Sequence, residues 1–320
     1  MLSKMNSEYC GILDSKYILE YKIGSGAFSK VYKAHSSDKI FAVKIFDKYS
    51  EAIKEEVEIE TKFNQKILES KNHTNFFIKY ISSSLNGTLD IDGNNEQKCY
   101  MVFELASKGN LAHYIKRNKT GLDEKNCKVI SYKILKALQA LHEVGICHRD
   151  IKAENILLDG ERFEVKISDF GLSNFIQGQN GKILQKGKVG SYEYMAPEVI
   201  SGKEYDGEKA DIFSAGILIF TLLKSFLPFP VDNITRKRKN YSIFISKKEE
   251  RFWNILKDLD VEFSLEFKDL FKKMVNYKPS DRPTIEEILR HDWMKELTRL
   301  NKEEFKKYED NLIKELKKRE

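Results

Sequence analysis

The sequence predicts an α+β fold, in which a strand-rich first third precedes a mostly helical remainder. Residues 17–46 contain short apolar segments separated by polar or glycine-containing turns, which is the pattern of antiparallel strands. Residues 126–144 carry apolar side chains at helical spacing, and a second apolar run of helical length begins at Ile212. The 320 residues are enough for one large domain or for two lobes.

The composition is that of an ordinary globular protein and argues against several functional classes. The 55 basic and 49 acidic residues leave a net charge of only +6, which does not indicate nucleic-acid binding. Four widely spaced cysteines predict neither a disulfide framework nor a zinc site. The polar start and the short apolar run 212–223 lead us to expect a cytoplasmic protein. The basic run 236–239 leaves a nuclear location open.

The first predicted strands surround a turn that contains two glycines. Residues 24–31 read GSGAFSKV, and the glycines let a hairpin backbone pass close to phosphate groups. Alone this is weak evidence, because glycines are common in β-turns. The next strand, 40–46, places Lys44 among apolar residues, where a charge is costly to bury. Taken by itself, Lys44 would be interpreted as an exposed lysine on an edge strand.

A long helical pattern rich in glutamate covers residues 50–68, and strand candidates follow at 76–81 and 99–103. The polar segment between these strands, 82–98, contains Asn-Gly and Asp-Gly pairs. Such pairs are typical of tight turns, so we predict a surface hairpin there.

A group of charged and amide side chains follows the predicted helix 126–144. It comprises His148-Arg149-Asp150, Lys152, Asn155 and Asp169-Phe170-Gly171. Each piece alone would be weak evidence. Together they supply what phosphoryl transfer needs: a carboxylate to accept a hydroxyl proton, oxygen ligands for magnesium, and a fixed positive charge.

This order of motifs resembles that of the eukaryotic-type protein kinases. The resemblance runs from about Tyr17 to Trp293 and includes Asp211, expected to brace the catalytic loop, and a pair formed by Glu198 and Arg282. Lys152 and residues 190–198 resemble the serine/threonine branch. Residues 150–159 and 288–293 resemble the calcium/calmodulin-dependent and AMP-activated group.

The resemblance implies a bilobal protein kinase fold, with a small β-rich N-lobe that has one main helix and a larger, mostly helical C-lobe. The kinase domain would cover residues 17–297, with the N-lobe at 17–104 and the C-lobe at 109–297. Residues 1–16 would form an N-terminal extension and residues 298–320 a charged C-terminal helix. An apolar stripe predicts that this helix packs on the C-lobe, and a regulatory protein such as calmodulin bound there is the alternative. The stripe consists of Phe305, Tyr308, Leu312 and Leu316.

The catalytic roles also follow from the resemblance. Asp150 would orient the substrate hydroxyl and accept its proton, and Lys152 would neutralise charge on the moving phosphoryl group. Asn155 and Asp169 would hold magnesium. The implied cofactors are ATP and Mg²⁺, and the implied partners are protein substrates, with no nucleic acid and no membrane. We expect a monomer.

The nucleotide phosphates would be positioned by Lys44, held in place by a glutamate of the helix 50–68. We choose Glu56, because apolar residues follow it at the three- and seven-residue spacing of the corresponding kinase helix. Glu60 is the rival, since apolar residues follow it at the same spacing.

The remaining nucleotide contacts are carried over from the family's pattern. Phe103 would guard the back of the adenine pocket, and backbone groups of Glu104 and Ala106 would bond the adenine edge. The full implied set is Ile23, Gly24, Gly26, Val31, Ala42, Lys44, Glu56, Phe103, Glu104, Ala106, Leu157 and Asp169.

Two positions depart from the family's pattern. Ser29 stands at the third glycine position of the turn, where its side chain would slightly weaken nucleotide binding. Gly187 stands four residues before Ser191, where kinases of this group usually carry a threonine whose phosphate is bound by the residue matching Arg149. We therefore predict activity without a phosphate at position 187.

The alternative function is a kinase-fold scaffold with weak or no catalysis. The residues that phosphoryl transfer requires are all present, and neither departure removes one of them, which favours an active enzyme. A kinase for small molecules is disfavoured by residues 196–198, which in the family help to shape a peptide-binding surface.

Overall fold

The computed structural model describes residues 10–70, 73–117, 120–178, 181–229, 241, 244, 249–258 and 261–320. The chain divides into two compact units, the first ending at Ser107 and the second beginning at Lys108. A strand-rich first unit and a mostly helical second unit confirm the α+β prediction. The basic run 236–239 and the first nine residues of the predicted extension lie outside the described residues.

The first unit is built on a closed barrel of six antiparallel strands. The strands are β1 (Gly11–Leu13), β2 (Tyr17–Ser25), β3 (Ser29–Ser36), β4 (Lys39–Phe46), β5 (Tyr80–Ile91) and β6 (Asn94–Glu104). Their order is β1-β2-β3-β4-β6-β5, and the pairing of β1 with β5 closes the barrel. Because side chains alternate between the two faces of a sheet, every second residue points inward and forms the core. That core contains Leu13, Tyr17, Leu19, Ala34, Val43, Ile45, Leu89, Tyr100 and Val102.

Two parts of the barrel differ in how well the sequence predicts them. The surface hairpin expected at 82–98 is confirmed, because β5 and β6 pair along it and turn at Asp92-Gly93. Both turn residues have positive φ, as a type I′ turn requires. Strand β1 was not predicted, since three residues show too little alternation to indicate a strand. It pairs with β2 and β5, so part of the predicted extension belongs to the sheet.

Helix α1 (Glu51–Glu69) packs against β5 and β6. The Ser50 hydroxyl oxygen accepts a hydrogen bond from the Ile53 N–H, which caps the first turn. The buried residues recur every three or four positions, as expected for one face of a helix. They are Val57, Glu60, Phe63, Asn64 and Ile67. Two of the five are polar, and these two are also bonded to each other: the Asn64 amide donates to the Glu60 carbonyl at 2.8 Å.

The second unit is assembled around one long helix, α3. The helices whose bounds lie within the described residues are α2 (Leu111–Arg117), α3 (Glu124–Glu143), α4 (Pro197–Ser201), α5 (Gly207–Lys224), α6 (Glu249–Lys257), α7 (Leu265–Met274), α8 (Ile285–Arg290), α9 (Asp292–Thr298) and α10 (Lys302–Lys317). Its short strands are β7 (Ile146–Cys147), β8 (Ile156–Asp159), β9 (Glu164–Ile167), β10 (Asn174–Phe175), β11 (Gln177–Gly178) and β12 (Gly181–Lys182). Helix α3 packs against α5, α8, α9 and α10.

Helix α5 contains the apolar run 212–223 and is buried along almost its whole length, as predicted. The Asp206 side chain caps it by accepting from the N–H groups of Glu208 and Lys209. Within the described residues, we find no helix that combines the length and the apolar character needed to cross a membrane.

The C-terminal helix α10 lies on α3, which confirms the predicted packing of its apolar stripe. Leu312 and Leu316 are fully buried, and the Phe305 ring lies 5.3 Å from the Tyr132 ring. Glu309 adds an ion pair with Lys133 at 2.9 Å. Burial raises the pKa of Glu309, but hydrogen bonds from Lys133 and a neighbouring arginine outweigh burial and lower the pKa. The helix is therefore an integrated part of the second unit.

Candidate active site

In the first unit, four predicted nucleotide-contacting residues share the outer face of the barrel. Residues directly opposite each other on antiparallel strands point to the same face. Val31 pairs with Lys44, and Ala42 pairs with Phe103. Val43, between Ala42 and Lys44, points into the core instead. The sheet register thus places Val31, Ala42, Lys44 and Phe103 on one face.

The glycine-containing turn joins β2 to β3 beside this face. Gly24 pairs with Val31, and the Gly26 N–H donates to the Ser29 carbonyl at 2.8 Å. Ile23, at the end of β2, is 40% exposed. Ser29 is buried, and its hydroxyl would lie only 3.3 Å from a Cβ added at Gly26. The side chain that departs from the family's pattern therefore fills space beside Gly26.

The Lys44 side chain pairs with Glu60, which corrects our choice of Glu56. The Lys44 ammonium lies 2.8 and 3.1 Å from the two carboxylate oxygens of Glu60. The Glu60 side chain is only 1% exposed, whereas Glu56 is partly exposed. The strand lysine thus has a buried carboxylate partner, one helical turn after the predicted one.

The physical reason is position along α1, because residues four apart lie on the same face of a helix. Glu60 lies at the centre of the buried face, with Val57 three residues before it and Asn64 four residues after it. Glu56 is displaced along the helix axis by four residues, or about 6 Å. The choice of Glu56 also required Ile59 to be buried, but Ile59 is 48% exposed.

The end of β6 carries the residues assigned to the adenine edge. The Glu104 N–H donates to the Lys79 carbonyl at 2.9 Å, and the Glu104 carboxylate accepts from the Lys79 N–H at 3.0 Å. Ala106 is buried. These bonds fix the backbone at the end of the strand, and the adenine contacts of Glu104 and Ala106 stay predictions.

In the second unit, Asp211 holds the loop that carries Asp150. The Asp211 carboxylate accepts from the backbone N–H groups of His148 and Arg149, both at 2.8 Å. It also lies 2.9 Å from the Nε2 atom of His142. Asp211 is completely buried in the first turns of α5. The expectation that Asp211 braces the catalytic loop is confirmed.

His148 makes a second set of bonds that were not predicted. Its Nε2 lies 3.0 Å from the Ser168 carbonyl, which can only accept, so Nε2 carries the proton. Its Nδ1 therefore accepts from the Asp150 N–H at 3.2 Å. The ring also packs against Phe170, with 5.5 Å between ring centres. A fully buried imidazole thus connects the catalytic loop to residues 168–170.

The Asp150 carboxylate is surrounded by hydrogen-bond donors. Its Oδ2 accepts from the Lys152 ammonium at 2.6 Å and from the Asn155 amide at 3.2 Å. Its Oδ1 accepts from the Ser191 N–H at 2.6 Å. Lys152 also donates to the Ser191 hydroxyl at 2.7 Å. The structure brings together all three predicted catalytic residues, and it adds Ser191, which sequence reasoning did not assign to this site.

The predicted magnesium ligands offer a suitable donor set. The Asn155 amide nitrogen donates to the carbonyl and the carboxylate of Asp150, which orients the amide oxygen away from these acceptors. The Ser168 N–H donates to the Asn155 carbonyl at 3.0 Å, and Asp169 follows with an exposed side chain and φ of +65°. An amide oxygen and a carboxylate are hard ligands of the kind that Mg²⁺ prefers. Asn155 and Asp169 therefore fit a magnesium site.

Leu157 lies on the hairpin that follows the catalytic loop. Strands β8 and β9 pair from Ile156 to Asp159, as predicted from the sequence. Ile156 and Leu158 are fully buried, whereas Leu157 points to the opposite face and is partly exposed. Leu157 can therefore meet a ligand on that face, and its assigned adenine contact stays a prediction.

Cys147 directly precedes His148, a pair that could suggest a thiol nucleophile. Burial raises the pKa of the Cys147 thiol, which keeps it protonated. The thiol donates to the Asn174 carbonyl at 3.4 Å. Because the thiolate is the reactive form of cysteine, Cys147 serves packing rather than nucleophilic chemistry.

The predicted pair of Glu198 and Arg282 is confirmed. Two guanidinium nitrogens of Arg282 donate to the two carboxylate oxygens of Glu198, at 2.6 and 2.7 Å. The guanidinium carbon also lies 5.0 Å from the centre of the Phe213 ring. Arg282 is almost completely buried, so this pair fixes the start of α4 within the second unit.

The family model described as protein kinase domain matches residues 17–294. CBL-interacting protein kinase 28 of Oryza sativa subsp. japonica is 32% identical over 308 residues, which cover 92% of this chain and 63% of that protein. Testis-specific serine/threonine-protein kinase 5 of Mus musculus is 30% identical over 323 residues, which cover 91% of this chain and 76% of that protein. CBL-interacting serine/threonine-protein kinase 7 of Arabidopsis thaliana is 33% identical over 295 residues, which cover 89% of this chain and 61% of that protein. The chain thus spans less than two thirds of the two plant relatives.

We expect Asp211→Asn to lower the free energy of unfolding of the second unit by about 1–3 kcal/mol, because one buried N–H loses its acceptor. Urea unfolding followed by tryptophan fluorescence measures this, since both tryptophans, Trp253 and Trp293, lie in that unit. Asp258→Asn, at an exposed position, is the control and should change little. Equal stability of the two variants would contradict the role assigned to Asp211.

Proposed function

The chain belongs to the protein kinase family, and from this premise we propose that it transfers the γ-phosphoryl group of ATP to serine and threonine hydroxyls of protein substrates. The observation that carries this proposal is the Asp150 carboxylate, held between Lys152, Asn155 and the Ser191 N–H. The names of the mouse and Arabidopsis relatives, which specify serine and threonine, support the choice of acceptor.

The residues around Asp150 have separable tasks in this reaction. A carboxylate anchored by donors on both oxygens is held in one orientation, in which it can bind the substrate hydroxyl and accept its proton. Lys152 stabilises negative charge that develops on the transferred group. Magnesium, held by Asn155 and Asp169, would supply further neutralisation of phosphate charge. Positioning and charge stabilisation are the main contributions that this class of reaction requires.

The Lys44 side chain, fixed by Glu60, would bind the nucleotide phosphates. A buried glutamate on a rigid helix limits the lysine to one orientation, which reduces the entropy lost when the phosphates bind. Val31, Ala42 and Phe103 share the same sheet face and would contact the nucleotide base.

The alternative of an inactive kinase-fold scaffold has no positive support in the residues. A scaffold has no need for a charged group at each of Lys44, Glu60, Asp150 and Asp169, and all four are present. A regulatory protein at the C-terminal helix also gains no support, because Leu312 and Leu316 are already buried against the second unit. Such a partner would have to displace α10 or bind its outer face.

Phosphotransfer from magnesium-ATP to a mixed serine/threonine peptide library is the direct test. We expect the wild-type protein to label peptides and Asp150→Asn to turn over about 10²–10⁴-fold more slowly, because it loses the proton acceptor. Phosphatase-treated protein from bacteria should be used, and nucleotide binding should be measured for both proteins. Nucleotide binding without phosphotransfer by the wild-type protein would favour the scaffold.

The pairing of Lys44 gives a second prediction. Glu60→Gln should lower kcat/KM for ATP about tenfold, because a charge-assisted bond of about 1.5–3 kcal/mol is weakened. Glu56→Gln is the matched control on the same helix and should leave kcat/KM near the wild-type value. Initial-rate kinetics at varied ATP concentration measure both. The reverse order of effects would restore Glu56 as the partner of Lys44.

A further inference from the structure

Residues 182–188, which we call the docked segment, run beside residues 202–208 of the second unit. An isolated antiparallel bridge joins the two stretches. The Gln185 N–H donates to the Tyr205 carbonyl at 2.7 Å, and the Tyr205 N–H donates to the Gln185 carbonyl at 3.0 Å. The segment is therefore attached by its own backbone to the residues that lead into α5.

Ion pairs flank this bridge on both sides, and they differ in how exposed their side chains are. The Lys182 ammonium lies 2.7 Å from Asp206 and 2.6 Å from Glu208. Burial lowers the pKa of Lys182, but the hydrogen bonds to both carboxylates outweigh it and raise the pKa, so Lys182 stays charged. Lys186 pairs with Glu204 at 2.8 Å, but the two side chains are 78% and 53% exposed. A pair this exposed contributes little to stability.

The Gln185 side chain is the buried part of the docked segment, with only 1% of the residue exposed. Its amide nitrogen donates to the carbonyls of Phe175 at 3.0 Å and Ile183 at 3.1 Å. Its amide oxygen is buried and has no hydrogen-bond partner among the described residues. Burying an amide costs free energy unless the amide is hydrogen-bonded. The two donated bonds offset this cost and keep the Gln185 side chain in place. The bond to Phe175 joins the docked segment to β10, and the bond to Ile183 holds the segment's own backbone.

Arg149 of the catalytic loop holds the backbone at residues 172 and 173, which precede the docked segment in the chain. Its guanidinium donates to the backbone carbonyls of Leu172 and Ser173, at 2.5 and 3.2 Å. In kinases of the group that the sequence resembles, this arginine would bind a phosphate on the residue four positions before Ser191. Gly187 occupies that position here and offers no hydroxyl. Backbone carbonyls thus occupy donors that a phosphate would otherwise use.

Ser191, which follows the docked segment in the chain, is held at the Asp150 carboxylate. The Ser191 N–H donates to Asp150 Oδ1, and the Ser191 hydroxyl accepts from Lys152. Gly190 precedes it with φ of +108°, and a Cβ there would lie 2.5 Å from the Arg149 carbonyl. The backbone must therefore pass directly over the catalytic loop.

We propose that Gln185 is a positioning residue whose side chain holds the docked segment against β10, beside the backbone bridge to residues 202–208. Through this anchor the chain keeps Ser191 on Asp150 with no phosphate at position 187. The proposal rests on the proposed phosphotransfer function and concerns how that site is kept in order. The hydrogen bonds of Gln185 go to Tyr205, Phe175 and Ile183 and not to Asp150 or Lys152, so its effect on the reaction would pass through the segment.

The test compares Gln185→Met with Lys186→Met in phosphatase-treated full-length protein. Methionine keeps the volume of glutamine and removes both donated bonds, whereas Lys186 loses only an exposed ion pair. The readouts are kcat and KM for a peptide substrate, the dissociation constant of ATP, and the rate of trypsin cleavage after residues 182, 186 and 188. Trypsin reports docking directly, because three lysines lie within the docked segment.

We expect Gln185→Met to lower kcat/KM for the peptide about tenfold and to speed cleavage after Lys182 and Lys188 by a similar factor, since two buried bonds are lost. ATP affinity should change little, and Lys186→Met should behave as wild type apart from the lost cleavage site. Wild-type kinetics and wild-type cleavage in Gln185→Met would overturn the proposal. Wild-type protein that turns over only after Ser173, Ser191 or Tyr192 is phosphorylated would also overturn it.

A second variant covers the case in which Gln185→Met does not fold. Lys182→Met removes the ion pairs with Asp206 and Glu208 from a side chain that is 44% exposed, so folding should survive. It should speed cleavage after Lys186 and Lys188 about threefold, and an unchanged rate would count against docking. The trypsin readout requires no activity, so an inactive wild-type protein with a protected segment would refute the phosphotransfer function and leave the docking intact.

Discussion

The buried carboxylate of Asp211 is the interaction on which the catalytic loop depends. Its two oxygens accept from successive backbone N–H groups and approach the His142 ring. An unpaired carboxylate in this position would cost several kcal/mol, so the donors are required. Two successive N–H groups can point at one carboxylate only if the chain turns sharply. Arg149 accordingly has φ of +65°, a left-handed conformation that costs about 1–2 kcal/mol for a residue other than glycine.

Two other buried ion pairs also hold side chains in a fixed orientation. Lys44 with Glu60 fixes a side chain on the outer face of the barrel, and Glu198 with Arg282 fixes the start of α4. Buried ion pairs are weak sources of net stability, because desolvation offsets much of their attraction. Their value here is orientation: each pair is bonded through both carboxylate oxygens, which leaves one arrangement of the two side chains.

Much of the fold and of the site follows from local sequence. The 156–167 hairpin and the long helices were predicted because glycine turns, alternation and helical periodicity are local signals. The catalytic loop was predicted from its resemblance to the protein kinase motifs. The choice between Glu56 and Glu60 was wrong because both satisfy the same spacing, and only the packing of α1 on the sheet distinguishes them. Strand β1 and the contact between Ser191 and Asp150 depend on residues far apart in the chain. No local pattern contains that information.

Hydrogen exchange at single amides measures the docking of Ser191 on Asp150 in the unphosphorylated chain. In phosphatase-treated wild-type protein, the Ser191 N–H should exchange far more slowly than an unstructured amide. Its protection should approach that of the His148 and Arg149 amides, which are bonded to Asp211. Unprotected exchange at Ser191 beside slow exchange at His148 and Arg149 would contradict this docking. The catalytic loop would then be ordered while Ser191 is not bound to Asp150.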